Sequence, residues 1–347
     1  MFPIKNWHNP EEPVNNVNQD RRYKSFLMDI DLQYLLFLQQ LRMLLGGHLD
    51  EIFNGISKFA VDFLPFLPYV IFWSVHRKWG YRLISIYITS CVVNGLIKLT
   101  VCAYRPWIRS DLVEPAGDSK VAATGYSFPS GHSTEATAVY GTTAIWQRNT
   151  RRSLSVFCVI MVFLTGFSRN FLGVHTPQDV FVGIISSSLV IFLVLWIEQK
   201  IGNNAKAYDW LTLAGILVVI ISIIYITTKS YPMDYVDGKL LVDPLVMMTD
   251  TFKSLGCFTG FLIASWLERH KWHYEIPVGS TKLPLMTGLG VLILMAWRNI
   301  FSAAIFVHFF GRNAGNFIGW VVFSLIGILF WPMLITKVCR EDKTKND

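Results

Sequence analysis

Three short stretches of this 347-residue chain hold side chains whose types and spacing could do chemistry on an anion. The first carries Lys98 and, after six intervening residues, Arg105-Pro106. The second is Pro129-Ser130-Gly131-His132, and the third runs from Ser168-Arg169 to His175 and Asp179. Lys98, Arg105 and Arg169 are cations at the ends of apolar runs, where water is scarce. They repel one another unless a dianion joins them, and phosphate is the natural one. Arginine offers a planar fork for two oxygens, lysine a compact charge. A helix continuing through Lys98 and Arg105 would set them two turns apart on one face. Ser130 and Gly131 offer a hydroxyl and backbone N–H groups where a helix begins, which makes an anion site beside His132. Pro177 suits the first turn of a helix. Asp179 follows His175 by about one turn, so it can hold one ring nitrogen and leave the other free. A cation cradle, an oriented histidine and a second histidine together suit in-line phosphoryl transfer.

Singly, each group has a plainer reading. Lys98 could be a lysine snorkelling from a helix end, Pro-Ser-Gly-His a turn and cap, and His175 with Asp179 a hydrogen bond at a helix start. Their order along the chain, each at the border of an apolar run, favours the joint reading.

The elements that must position them are membrane helices. The chain is 52% hydrophobic, 14% aromatic and 16% charged, with a mean hydropathy of +0.39. A soluble domain is about 25% charged. This composition excludes a disordered chain, a coiled coil and a small disulfide scaffold. The five cysteines are scattered, with no CxxC pair, and read as small buried hydrophobes. About nine runs can cross a bilayer as helices: 56–75, 81–102, 133–147, 154–172, 178–198, 209–227, 246–267, 284–307 and 315–337. The fold class is therefore all-α, a polytopic membrane bundle. Residues 1–24 are polar and read as a mobile tail without a cleavable signal. Residues 26–46 are apolar but carry Asp29, Asp31 and Arg42; they suit an amphipathic helix in the interface, with a tilted span as the alternative. Three regions follow: 1–48, tail and interfacial helix; 49–200, the catalytic core; and 201–347, an extension of about four helices.

Lysine and arginine set the orientation. The loops at 76–82, 148–152, 199–208 and 268–283 and the tail from 337 hold fifteen; the alternate loops, which carry the motifs, hold seven. The first set marks the cytoplasmic side, so the motifs face outward or into a lumen. The net charge of +7 thus reads as topology, without a nucleic-acid partner.

The order K-x6-R-P, P-S-G-H, S-R-x5-H-x3-D resembles the three-part signature of the type 2 phosphatidic acid phosphatase superfamily. That superfamily includes lipid phosphate phosphatases, undecaprenyl diphosphate phosphatases, glucose-6-phosphatases and vanadium haloperoxidases. The likeness covers about residues 50–200. It implies a phosphatase that needs no metal or other cofactor and works through a phosphohistidine. By that resemblance His175 is the nucleophile, Asp179 its orienter and His132 the general acid. Lys98, Arg105, Ser130, the Gly131 N–H and Arg169 hold the phosphate. The expected substrate is a lipid phosphate or diphosphate, drawn sideways from the membrane lipids. The alternatives are a lipid phosphotransferase, a sugar-phosphate phosphatase, a haloperoxidase, and a channel or scrambler that only binds headgroups. The extension is loosely similar to that of sphingosine-1-phosphate phosphatases around Asp250-Thr251, Gly256 and Gly260.

Three further features stand apart. Glu135, one turn past His132, reads as an acid favoured by the helix dipole, with tuning of His132 as the other role. Arg298 lies deep in an apolar run and needs a partner: a neighbouring helix carbonyl, an acid such as Asp250, or a lipid phosphate. The His270-Lys-Trp-His273 run has too few ligands for a metal site.

Overall fold

The computed structural model describes residues 25–346 apart from 124, 237, 277 and 278; the tail at 1–24 lies outside the described residues. All nine expected runs fall on helices. In chain order these are α1 (Ser25–Leu44), α2 (Asp50–Val75), α3 (Arg77–Val101), α4 (131–147), α5 (Arg152–Phe171), α6 (Pro177–Ile201), α7 (Ala205–Thr228), α8 (Pro244–His270), α9 (283–310) and α10 (312–346). One two-stranded hairpin, Tyr235–Val236 with Lys239–Leu240, sits between α7 and α8.

Six of these helices are long and apolar enough to cross a membrane: α2, α3, α5, α6, α7 and α10. Helix α4 is short, α8 carries Asp250, Lys253, Glu268 and Arg269, and the apolar part of α9 is shorter than a full span. The chain is a multi-pass membrane protein. Helix α1 is not among the six. It buries a stripe of Asp31, Leu35, Leu38 and Arg42 and exposes Phe37, Met43 and Leu44 on its other face. The buried stripe docks on the loop before the second motif, where Gln39 Nε2 and Arg42 Nη2 donate to the carbonyls of Leu112 (3.2 Å) and Glu114 (2.7 Å).

Local chemistry fixes the helix ends that matter. Ser130 caps α4, its Oγ accepting from Ser133 N. Thr176 and Asp179 form a reciprocal capping box at α6, with Pro177 in the first turn. Helix α3 stops at Val101 because Cys102 turns left-handed (φ 53°) and closes on Lys98 O. Arg105 is extended, the conformation favoured before a proline. The expectation that Lys98 and Arg105 share one helix face is thereby corrected: Lys98 is on the helix and Arg105 lies beyond its end.

Two apolar clusters meet along α3. One joins Leu83, Val139, Tyr140 and Val162 from α3, α4 and α5. The other joins Phe72, Trp73 and Ile84 to Phe261, Leu294, Phe323 and Ile328 of α8, α9 and α10. Helices α8 and α10 approach at backbone distance, since a Cβ on Gly256 or Gly260 would collide with the carbonyls of Phe317 and Val321. Small residues serve this purpose between membrane helices.

Candidate active site

The motif residues come from four helix ends, and the structure gathers them at one end of the bundle. Lys98, Arg105, Gly131, His132, Arg169 and His175 all line one cavity of about 380 Å3. Lys98, in the last turn of α3, points Nζ at the carbonyls of Tyr126 (3.1 Å), Ser127 (3.3 Å) and Pro129 (2.9 Å). Arg169, in the last turn of α5, is buried; its Nη1 donates to Ser57 Oγ, and its Nε makes no hydrogen bond among the described residues. Arg105 acts electrostatically on both Lys98 and Arg169, so the three cations form one field.

Arg105 also defines the state of His175. Its Nη1 lies 2.9 Å from His175 Nε2 and 2.9 Å from Val174 O. A guanidinium can only donate. Nε2 therefore accepts, and the ring proton sits on Nδ1. That nitrogen faces Asp179 Oδ2 at 3.3 Å and Ser127 Oγ at 3.4 Å. Asp179 is itself held by the Ser127 hydroxyl (2.5 Å) and the Thr176 N–H (2.8 Å). Burial first, and the Arg105 charge second, hold the His175 imidazole well below the usual histidine range, against the opposing pull of Asp179. The ring is neutral at neutral pH, with a lone pair on Nε2.

Ser130 is fully buried. Its N–H donates to Asp179 O (2.9 Å), tying the start of α4 to the start of α6. His132, on the first turn of α4, is surrounded electrostatically by Arg169, His175, Arg105 and Lys98. Every site residue read from the sequence is thus at this one place: Lys98, Arg105, Gly131, His132, Arg169 and His175 in the cavity wall, Ser130 and Asp179 at the caps beside it. Sequence reasoning did not single out Ser127. Its contact with Asp179 crosses 52 residues, and nothing in its neighbourhood signals it. Glu135 accepts from Tyr87 Oη at 3.1 Å. Arg298 meets two of the expected kinds of partner, but from α2: its Nη1 donates to Val61 O at 2.9 Å, and Asp62 lies 4.0 Å away. Asp250 instead pairs with Lys253 at 2.9 Å. His270 bonds Asp209 at 2.8 Å. A larger cavity of about 1110 Å3 opens at the opposite end, but no motif residue is in its wall. Charge and nucleophile, not size, mark the site.

Residues 79–203 match the PAP2 superfamily, and all eight motif residues lie within that segment. The chain is 28% identical over 163 residues to an undecaprenyl-diphosphatase of Sulfolobus acidocaldarius, covering 44% of this chain and 74% of that protein. It is 28% identical over 167 residues to a phosphatidylglycerophosphatase B of Bacillus subtilis, covering 44% of this chain and 77% of that protein. With a dihydrosphingosine 1-phosphate phosphatase of Saccharomyces cerevisiae it shares 25% identity over 263 residues, 72% of this chain and 60% of that protein. A match of 263 residues extends beyond the 79–203 segment. No solved structure matches the chain significantly.

Proposed function

We propose that this membrane-embedded phosphoric ester hydrolase removes phosphate from a lipid phosphate or diphosphate by way of a phosphohistidine on His175. The observation that carries the reading is the state of His175: neutral, its Nδ1 proton turned to Asp179, its Nε2 lone pair turned to Arg105. A site that only bound headgroups would not need an oriented nucleophile. The relatives' names, two bacterial or archaeal lipid phosphatases and a yeast sphingoid one, support a lipid as the substrate.

The arrangement supports the following course of reaction. The lipid's phosphate settles among Lys98, Arg105 and Arg169, with the Gly131 N–H at the helix start completing the cradle; the Ser130 hydroxyl, read from the sequence as a phosphate ligand, is buried against Ser133 and serves by capping that helix. The phosphate oxygens draw the Arg105 guanidinium from Nε2 to themselves. Nε2 attacks phosphorus, and the P–O bond to the lipid breaks as the P–N bond forms. Burial and the surrounding cations hold His132 well below the usual histidine range before substrate binds; the bound phosphate offsets those cations, so His132 takes up a proton from water and gives it to the departing oxygen, releasing the lipid alcohol, or the lipid monophosphate where the substrate is a diphosphate. Water then attacks phosphorus, His132 takes its proton, and the P–N bond breaks to give inorganic phosphate and free His175. Asp179 stabilises the charge on the imidazole throughout.

The site faces outward or into a lumen in this reading, because the loops richest in Lys and Arg lie at the other end of the bundle. The test is phosphate release from undecaprenyl diphosphate, phosphatidylglycerophosphate, phosphatidic acid and dihydrosphingosine 1-phosphate, each with EDTA present and beside the His175→Ala protein. Release that survives EDTA and falls by about 10⁴-fold or more in the variant is expected. Release that persists undiminished in His175→Ala would remove this histidine from the reaction.

A further inference from the structure

Helix α8 lies outside the 79–203 segment that matches the PAP2 superfamily, yet its Met247 and Thr251 help to line the catalytic cavity. Gly95 makes this possible. A Cβ there would sit 2.8 Å from Thr251 Oγ1, so its absence lets α8 lie against α3 close to Lys98. The start of α8 then meets the loop at 125–129, which serves the whole cradle. Its carbonyls orient two of the three cations: Gly125 O accepts from Arg105 Nε at 3.2 Å, and the carbonyls of Tyr126, Ser127 and Pro129 accept from Lys98 Nζ. Its Ser127 hydroxyl holds Asp179. Arg105 and Asp179 in turn face the two ring nitrogens of His175. A shift of this one loop would move the groups on both sides of the nucleophile together.

The loop has a weak point at Gly125. Its φ is +73°, and a glycine has many other conformations open to it. A carbonyl on such a residue is a poor mount for Arg105 unless something is packed against it. Met247 supplies that packing. A Cβ on Gly125 would lie 1.7 Å from Met247 Sδ, so the thioether rests directly on the backbone that holds Arg105. The same sulfur accepts from Tyr126 N at 3.2 Å, and Met247 is buried. Sulfur is a weak acceptor, so the larger part of the hold is the filled space. An unbranched thioether suits an irregular gap of this kind.

We propose that Met247 is a positioning residue for the phosphoryl transfer: packed on Gly125 from α8, it fixes the 125–129 loop and, through that loop, Arg105, Lys98 and the His175–Asp179 pair. This rests on the lipid phosphatase reading above and deepens it, since it gives the C-terminal extension a part in turnover. The signature is kinetic. Attraction between a phosphate and three cations falls slowly with distance. In-line attack by Nε2 is far less tolerant, and a displacement of about 1 Å costs about 10²-fold. Loosening the mount therefore lowers kcat and leaves KM nearly as it was.

The experiment follows phosphate release by the purified full-length protein from the four lipids named above, across pH, with the folded fraction of each variant read from its unfolding in detergent. Per folded molecule, Met247→Ala is expected to lower kcat by about 10²-fold. Met247→Leu, which refills most of the space, should stay within a few-fold of wild type. The acid limb of the pH profile gives a reading that lost stability does not move. The His175 ring faces Arg105, Arg169 and His132, which oppose its charged form, and Asp179, which favours it. With Arg105 and Ser127 released by a loose loop the ring charges more readily, so the limb of Met247→Ala should move to higher pH. Where the alanine protein does not fold, Met247→Val carries the same reading at smaller amplitude. An unchanged kcat per folded molecule with an unmoved limb overturns the assignment and leaves the phosphatase reading standing. So does a rise in KM without a fall in kcat, because Met247 would then only be wall for the bound lipid. A Met247→Leu protein as slow as the alanine one overturns it too, because packing would not be what holds the loop. No release by wild type from any of the four lipids overturns the phosphatase reading and this assignment with it.

Discussion

Arg77, Arg82 and Arg269 cluster where α3 begins, and each meets a carboxylate: Glu268, Glu198 (2.5 Å) and Asp209 (3.8 Å) respectively. Where α3 finishes, Lys98 is held by three carbonyls, Arg105 bonds a carbonyl and a histidine nitrogen, and Arg169 bonds a hydroxyl. A carboxylate partner both orients a cation and cancels its charge. A carbonyl or hydroxyl orients it and leaves the charge in place. The first end is therefore locked together, and the second keeps a directed positive field for a dianion.

The sharpest way to break this contrast is to neutralise one arginine at each end. Arg169→Gln should cut kcat/KM for phosphate release by about 10²–10³-fold, the usual scale for one preorganised donor at a developing negative charge. Arg82→Gln removes an ion pair of comparable geometry and should leave kcat within a few-fold while lowering the midpoint of thermal unfolding. Equal losses of activity from both would mean that the two ends do not differ in the way their contacts suggest.

The helix ends that carry the second set of cations were legible in the sequence, for a physical reason; the carboxylate partners of the first set were not. Helix spans follow from apolar run length, and caps follow from residues adjacent in the chain. Ser130 before Gly131, and Thr176-Pro177 before Asp179, announce two helix starts and hence where their N–H groups gather. What is set by packing was not legible. Cys102 adopts a left-handed conformation that no sequence signal demands of a cysteine, and it decides that Arg105 leaves the helix. Ser127 reaches Asp179 only once α6 lies beside the 126–129 loop. The place of α8 in the cavity wall depends on which helix meets Gly95, and hydropathy does not encode partners.

Ser127 offers a finer test within the charged end. Ser127→Ala leaves Asp179 its Thr176 N–H and its His175 contact, so the loss should be about tenfold in kcat, the worth of roughly one hydrogen bond. The pH profile carries more information. His175 has its folded pKa depressed, so the attacking neutral ring is present above that pKa and lost as pH falls through it. The acid limb of wild type should lie below about 6.5, the ordinary histidine value. Without the Ser127 hydroxyl the Asp179 carboxylate acts more fully on the imidazole, favours its charged form and moves the limb to higher pH. Measuring both proteins on one substrate cancels the titration of the phosphate itself. A limb that stays in place or moves down would separate Ser127 from the nucleophile's environment.

Arg298 tests where the boundary between the two kinds of cation runs. It lines the catalytic cavity, but its Nη1 donates to Val61 O, a carbonyl near the C-terminal end of the first segment of α2. The helical donor to Val61 O would be the N–H of residue 65, and residue 65 is a proline, which has none. Arg298 of α9 thus completes a backbone bond that α2 cannot make for itself. On this reading Arg298→Leu should cost about 1–3 kcal/mol of stability, the penalty for a carbonyl left unpaired away from water, and change kcat far less than Arg169→Gln does. Pro65→Ala restores a donor at the right place, so combined with Arg298→Leu it should recover part of the loss. The coupling is read from a double-mutant cycle of unfolding midpoints in detergent. If Arg298→Leu instead cuts turnover as deeply as Arg169→Gln, and Pro65→Ala recovers nothing, Arg298 belongs with the phosphate cradle, and the extension reaches the reacting group itself as well as the wall around it.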